Sequence, residues 1–382
     1  MIKDRKIKIF VDAHCFDTQY QGTQSFLLQL YRALMQQYPQ LDIYMGAFYT
    51  DRIKAAFPLL PTANVLPYKS LRPAAMRFVR DIPRLLKEHA FDFAHFQYIA
   101  PWPVQGCKYI VTLHDVLFKD FPSAFPWGFR QSRNKLFGGS IKRATIKTTV
   151  SLYAKGRIMH HYGVQDKELH LVPNAIPISA TNPIDKATAR QQIKERFGIG
   201  PFILYVSRME PRKNHLLLLR CWLELGLYRQ GIALVFIGSS QDAKGSKSVA
   251  LLKAMQQLPT EVTPFFKHIE QVDGGTLWLF LQAAHLFVYP SLAEGFGIPP
   301  LEAAVAQTPV LCSQTTAMQD FSFFGNGLFD PHNKQELKDK MEAVLHHPPS
   351  EAELVTIAQQ IQAQYTPARS AAVFYNLLNQ YL

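Results

Sequence analysis

Cysteine is scarce. Four in 382 residues (Cys15, Cys107, Cys221, Cys312) stand far apart with no paired spacing. That argues against a disulfide framework or a zinc site and fits a reducing cytoplasm. Long hydrophobic runs are missing as well, since no apolar stretch reaches the length of a membrane span. Met1 to Asp12 passes from basic side chains into a short strand-like run, without the apolar region of a signal peptide. A cytoplasmic location is therefore expected. No Gly-x-Gly-x-x-Gly follows the first strand, which argues against a nicotinamide-dependent dehydrogenase. No Asp-x-Asp occurs, so no divalent cation held by such a pair is expected. His89, His95, His160, His161 and His268 show no metal-ligand spacing, and no metal site is assigned. Repeats of solenoid length and low-complexity tracts are lacking. The 27 Phe and 16 Tyr are spread through strands and helices as core residues, so no nucleic-acid partner is expected.

What is present describes a globular chain. Hydrophobic residues make up 48% and charged residues 18%, enough for sizeable cores, and the length suits two domains. Net charge is +12 and unevenly placed. Residues 1–180 hold 24 Lys and Arg against 12 Asp and Glu; residues 181–382 hold 17 against 17 (41 less 24, 29 less 12). The whole excess lies in the first half and implies a partner there.

Short apolar runs alternate with helical spacing. Ile7 to Val11, Leu41 to Phe48, Phe91 to His95, Tyr109 to Leu113, Ile146 to Ser151 and Leu169 to Val172 read as buried strands. Thr23 is the expected N-cap of a helix carrying Phe26, Leu27, Leu30 and Leu34. Arg72 to His89 reads as a basic amphipathic helix broken near Pro83. After a polar stretch at 174–200 the pattern restarts, with strands at 202–206, 233–237, 262–267, 285–289 and 310–312. Helices are expected at 213–225, 246–257, 275–284, 299–306 and 333–346. This alternation predicts an α/β chain of two doubly wound Rossmann-like domains facing across a cleft. The expected division is 1–180, 181–365 and a final helix, 366–382.

One stretch organises the rest: Ser291-Leu-Ala-Glu294-Gly-Phe-Gly297-Ile298-Pro-Pro-Leu-Glu302-Ala303. A strand precedes it, prolines suit the first turn of the helix that follows, and glycines allow close approach of a ligand. A strand, a Gly-rich loop and a helix N-terminus make an anion site. Glu294 and Glu302 add acceptors for sugar and ribose hydroxyls, so the unit suits a sugar nucleotide. Taken alone, the stretch fits an ordinary strand-to-helix connection with solvent-facing acids equally well. Arg208 and Lys213, just past strand 202–206, stand where cations clamp a diphosphate, although basic surface loops are common.

Together, Val206-Ser-Arg208, Lys213-Asn214 and the Glu294-x7-Glu302 pair make residues 200–313 resemble the retaining, metal-independent glycosyltransferases of family 4, with the GT-B fold. Weaker marks are Gly22-Thr23, His114-Asp115, Val172-Pro-Asn174, Ile237-Gly238 and Thr308-Pro-Val310. The resemblance implies a hexose, mannose or glucose, moved from a nucleoside-diphosphate sugar to a glycan or lipid-linked acceptor. No cofactor beyond that donor substrate is implied. It assigns the diphosphate to Arg208 and Lys213, the ribose to Glu302 and the sugar hydroxyls to Glu294. The amides of Gly297 and Ile298 would face phosphate, Gly22 would let the first loop approach it, and His114 would lie near the reacting sugar carbon. By the same resemblance the first domain takes the acceptor, the second takes the donor, and the final helix packs back on the first. The chain departs from the pattern at Ala175, Gln307, Glu270 and the single Gly22, which leaves base and sugar open. An epimerase or phosphorylase on this scaffold, or an inactive nucleotide- or glycan-binding copy, are the rival readings. The basic stretches 69–87 and 130–147 predict contact with an anionic membrane at its inner face. In the first, Arg77, Arg80, Arg84 and Lys87 are expected on one helical face, and a solvated charged surface is the alternative.

Overall fold

Runs of four to six apolar residues, too short for helices, can bury both faces only as neighbours in a parallel sheet covered by helices on each side. The computed structural model describes residues 6–18, 22–69, 75–176, 184–240 and 246–382. It divides into two compact units, Met1–Ile176 with Tyr365–Leu382, and Pro177–Gln364. The boundary expected at 180/181 falls among residues outside the described ones, as does Arg72.

In the first unit, β1 (Ile7–Asp12), β2 (Leu41–Ala47), β3 (Val65–Pro67), β4 (Phe93–Gln97), β5 (Lys108–Leu113), β6 (Ile146–Thr149) and β7 (Leu169–Leu171) form one parallel sheet. Its order is β3-β2-β1-β4-β5-β6-β7. β1 is central: Ile9, Phe10 and Val11 are wholly buried, and Ile9 registers with Ile43 on one side and Phe93 on the other. Thr23 lies inside the helix Gly22–Gln37 instead of capping it. The last helix, Pro367–Gln380, is capped by the Thr366 side chain and packs on Gly22–Gln37. Tyr375 stacks on Tyr38 at 4.1 Å, and the buried Phe374 faces Tyr31 and His95.

In the second unit, β8 (Phe202–Val206), β9 (Ala233–Ile237), β10 (Phe266–Ile269), β11 (Leu286–Tyr289), β12 (Val310–Ser313) and β13 (Leu328–Phe329) are again parallel. The order is β10-β9-β8-β11-β12-β13. The strand expected at 262–267 begins only at Phe266, because Pro264 lacks the N–H a ladder needs and a helical turn, Thr263–Phe265, takes its place. Chain order reverses between β1 and β4 in one sheet and between β8 and β11 in the other. Connections leave such a pair in opposite directions and open a crevice past the strands' carboxyl ends, where α/β proteins bind ligands. Among the described residues, no helix is long and apolar enough to cross a membrane.

The helix expected from Arg72 is interrupted earlier than Pro83. A π-helical turn at Arg77–Asp81 precedes the helix Ile82–His89, in which Pro83 takes the first turn, where its missing N–H costs nothing. The wider turn rotates Arg77 off the face expected to carry Arg80, Arg84 and Lys87. Arg77 lies against the buried Asp12 instead, Nε to Oδ2 3.4 Å, beside His14 and Tyr68.

Candidate active site

The loop leaving β8 must pass close to the loop leaving β9, and one residue permits it. A Cβ on Gly238 would lie 2.1 Å from the Ser207 carbonyl oxygen, so only glycine fits, at φ +145°. Met209 N–H then donates to Ser239 O at 2.9 Å, and the β8 loop turns through Pro211–Lys213 to Asn214, left-handed at φ +59°.

Lys213 is buried. Its Nζ donates to Glu294 Oε1 at 2.5 Å and to the Tyr289 hydroxyl at 3.3 Å. The physical reason is Glu294, which is itself buried and accepts also from Ser291 Oγ (2.7 Å) and the Tyr289 hydroxyl (2.9 Å). Burial pushes the Glu294 carboxyl upward, but Lys213 and Arg212 beside it prevail and lower its pKa to about 2. Burial in turn lowers the pKa of Lys213, with Arg212 acting the same way against the pull of Glu294.

Arg212 is the residue that sequence reasoning missed. Its guanidinium reaches Glu294 Oε2 (3.1 Å), Glu210 Oε2 (2.9 Å) and the Ala293 carbonyl (2.7 Å), while its own carbonyl accepts from Leu292 N–H. It thereby staples the β8 loop to the β11 loop. Two consecutive basic positions in Pro-Arg-Lys and the nearby Arg208 gave no spacing signal to single it out. Arg208 pairs with Glu210 at 2.8 Å and keeps 39% of its side chain exposed. The cluster sums to three cations and two carboxylates.

Past β11, Gly297 is left-handed at φ +99°, with Met318 Cγ 3.0 Å from where a Cβ would sit. It ends the loop and opens the helix Ile298–Val305, whose first turn holds Pro299 and Pro300. Among the described residues the amides of Gly297 and Ile298 meet no acceptor. In that helix Glu302 is partly buried, with no cation or hydrogen-bond donor on its carboxyl among the described residues, and burial raises its pKa to about 7. An unpaired, desolvated carboxyl beside a crevice is a mark of a functional position.

Arg208, Lys213, Glu294, Gly297, Ile298 and Glu302 thus gather on the carboxyl edge of β8 and β11. Gly22 and His114 belong to the first unit. Gly22 opens its helix, and a Cβ there would meet no described atom within 4 Å. His114 follows β5 as a buried ring, edge-on to Phe26 at 5.0 Å, and burial lowers its pKa to about 3. It is neutral at physiological pH. Its Nε2 lies 2.7 Å from Gln97 Oε1, so that nitrogen carries the proton. Gln97 Nε2 lies 3.0 Å from His95, whose other nitrogen meets the Tyr31 hydroxyl at 2.8 Å. The Nδ1 lone pair of His114 is left as an acceptor.

Of the departures seen in the sequence, Glu270 has a visible part. It accepts from Ser240 N–H at 2.8 Å and from the Ser240 hydroxyl, tying the loops after β9 and β10 together.

Two family models match the chain, "Glycosyltransferase Family 4" over residues 20–180 and "Glycosyl transferases group 1" over 187–361. O-antigen chain mannosyltransferase B of Escherichia coli is 24% identical over 329 residues, 82% of this chain and 84% of that one. A D-inositol 3-phosphate glycosyltransferase of Pseudarthrobacter chlorophenolicus is 25% identical, over 56% of this chain and 51% of its own. The mannosyltransferase WbdA of Escherichia coli is 27% identical over 49% of this chain, a match that spans 23% of WbdA. Among solved structures, sucrose-phosphate synthase from Thermosynechococcus elongatus superposes with TM-score 0.77 at 18% identity, covering 98% of each chain. Anabaena HepE in complex with UDP-glucose does so with TM-score 0.75 at 14%, covering 98% of this chain and 100% of its own. The fold is GT-B, and the chain belongs to the glycosyl transferases group 1 family and is a glycosyltransferase.

Proposed function

We propose that the protein transfers a hexose, mannose or glucose, from a nucleoside-diphosphate sugar to a glycan or lipid-linked acceptor, with retention at the anomeric carbon and without a metal. The observation that carries this reading is the carboxyl edge of β8 and β11. There Arg208 and Lys213 follow β8, the open amides of Gly297 and Ile298 follow β11, and the lone Glu302 carboxyl lies in the helix those amides begin. Cations and amides take the diphosphate, and Glu302 takes the two ribose hydroxyls. Glu294, held ionised by Lys213 and Arg212, accepts from hydroxyls of the sugar. On the first unit, Gly22 leaves room for the diphosphate, and His114 accepts a sugar hydroxyl through its neutral ring.

In the reaction the bond from the anomeric carbon to the diphosphate oxygen breaks and a bond to the acceptor oxygen forms on the same face. The acceptor's proton passes to a departing phosphate oxygen. Arg208 and Lys213 stabilise the charge that grows on the diphosphate. The donor belongs to residues 181–365 and the acceptor to 1–180. The mannosyltransferase relatives and the UDP-glucose held by HepE support the donor class.

The excess positive charge supports an acceptor presented at an anionic membrane on its cytoplasmic face, met through 69–87 and 130–147. Only part of those stretches is available for it. Arg77 pairs with Asp12, Lys147 with Glu168 and Arg84 with Glu88, while Arg80, Lys87, Lys135 and Lys142 are exposed. A thermal-shift panel of nucleoside diphosphates and sugar nucleotides tests the donor. One base should raise the melting temperature well above the others. No shift with any of them contradicts the reading.

A further inference from the structure

The two basic stretches flank one cavity. Helix Ile82–His89 with its preceding π turn, the loop after β4 and helix Trp127–Arg143 enclose about 710 Å³, a volume in the range of small-molecule sites. Its walls are apolar, with Val79, Trp102, Val104 and Leu136 among them, and its rim carries Lys87 and Arg143. Three of these apolar side chains remain open to solvent: Val79 at 74%, Trp102 at 77% and Leu136 at 45%. Exposed apolar residues gathered at one concave place mark a binding surface. The rim cations are free of carboxylates, although Arg143 Nη2 donates to the Ala100 carbonyl at 3.3 Å. Neither Lys87 nor Arg143 has a carboxylate within ion-pair distance among the described residues, and the buried Nε of Arg143 has no hydrogen-bond partner. The Arg143 guanidinium lies 4.7 Å over the Trp102 ring, which keeps it at the mouth.

We propose that this cavity holds the hydrocarbon chain of a single-chain lipid phosphate, with the phosphate at Lys87 and Arg143. An apolar wall with two unpaired cations at its mouth is complementary to a chain ending in an anion. A wholly neutral chain leaves the cations without a partner, and a free phosphate leaves the walls wet. Behind the wall residues Ile99 and Leu136, their chain neighbours Tyr98 and Phe137 lead towards His114. Tyr98 stacks on Phe137 of the helix Trp127–Arg143 at 4.8 Å and faces the His114 ring at 5.2 Å. That places the chain beside the acceptor half of the reaction, so the lipid is the acceptor's own anchor and not a two-chain phospholipid of the bilayer. The inference rests on the lipid-linked acceptor of the proposed function.

The test is calorimetric titration of the full chain with decyl phosphate below its micellar concentration. Saturable one-to-one binding is expected, weakening roughly fourfold for each methylene removed. Inorganic phosphate alone should give none. Leu136→Asp and Val79→Asp, both at exposed positions, should weaken binding at least tenfold, and Lys87→Gln should weaken decyl phosphate but not decanol. Thermal shift with the preferred nucleotide should be unchanged in all three variants, which separates this site from the donor site. Binding that is insensitive to chain length, or unaffected by Leu136→Asp, overturns the proposal. Tighter binding of soluble dihexanoyl phosphatidic acid than of decyl phosphate overturns the choice of a single-chain lipid. Vesicle flotation without decyl phosphate binding overturns the cavity and leaves surface contact with the membrane standing.

Discussion

The two units share one plan, a doubly wound parallel sheet with its chemistry at the carboxyl edge, and treat charge in opposite ways. In the second unit Lys213, Arg212, Arg208, Glu210 and Glu294 are turned on one another in a partly buried knot. In the first, Arg80, Lys87, Lys135 and Lys142 stay in solvent near Val79, Trp102, Trp127 and Leu136, large apolar side chains also left uncovered. A knot of paired charges holds loops at fixed separations and keeps its excess for a small anionic ligand. Unpaired cations among exposed apolar groups suit a partner that brings both charge and hydrocarbon. The lesson is that net charge alone misleads: the neutral unit still gathers three cations at one strand edge.

Breaking the knot should have the largest effect. Arg208→Ala and Lys213→Ala should each lower turnover by about 10²–10³-fold, as the loss of one charge stabiliser does. Their stabilities should differ. Removing Lys213 leaves the buried Glu294 short of a partner and should cost about 3 kcal/mol, whereas the half-exposed Arg208 should cost little. Urea unfolding of both variants checks this; equal stability would mean that the pairing of Lys213 with Glu294 does not hold the loops.

Glu302 sharpens the comparison, as the acid the knot leaves out. Its folded value of about 7 lies above the ordinary 4.5, so between those values the native state binds the proton that the unfolded chain has lost. Stability therefore falls as pH rises from 4.5 to 7, and the penalty is complete above 7. Glu302→Gln should stabilise the free protein by up to about 3 kcal/mol at pH 8 and by nothing below pH 4.5, while weakening nucleotide binding. Melting curves across that range, without ligand, give the answer. A pH-independent difference would remove the case for a desolvated carboxyl.

On the first unit the effects are smaller and separable. Arg80→Gln, Lys87→Gln, Lys135→Gln and Lys142→Gln should each weaken flotation with anionic vesicles by about 1 kcal/mol, and added salt should do the same. Arg77→Gln should leave flotation alone and lower stability through Asp12. If Arg77 matters to vesicles as much as Arg80, the turn that swings it inward is not what separates them.

Much of the second unit was legible because its signals are local. The β8, β9 and β11 runs are apolar throughout, and Glu294-x7-Glu302 spans a strand end, a loop and a helix start in one stretch. What stayed hidden depends on partners distant in sequence. Spacing cannot say which of Arg208, Arg212 and Lys213 reaches a carboxylate eighty residues away. Nor does periodicity foresee the π turn at Arg77–Asp81, since one residue more per turn rotates the helix face behind it. The helix Glu351–Gln364 was passed over between two stronger patterns.

The most direct test of the donor site is the proton released when the preferred nucleoside diphosphate binds at pH 7, measured by calorimetry in buffers of different ionisation enthalpy. Two hydroxyls donating to Glu302 would lower its raised pKa and expel the proton it partly holds there. The wild type should release more proton than Glu302→Gln. Equal release from both, with binding intact in the wild type, would contradict it.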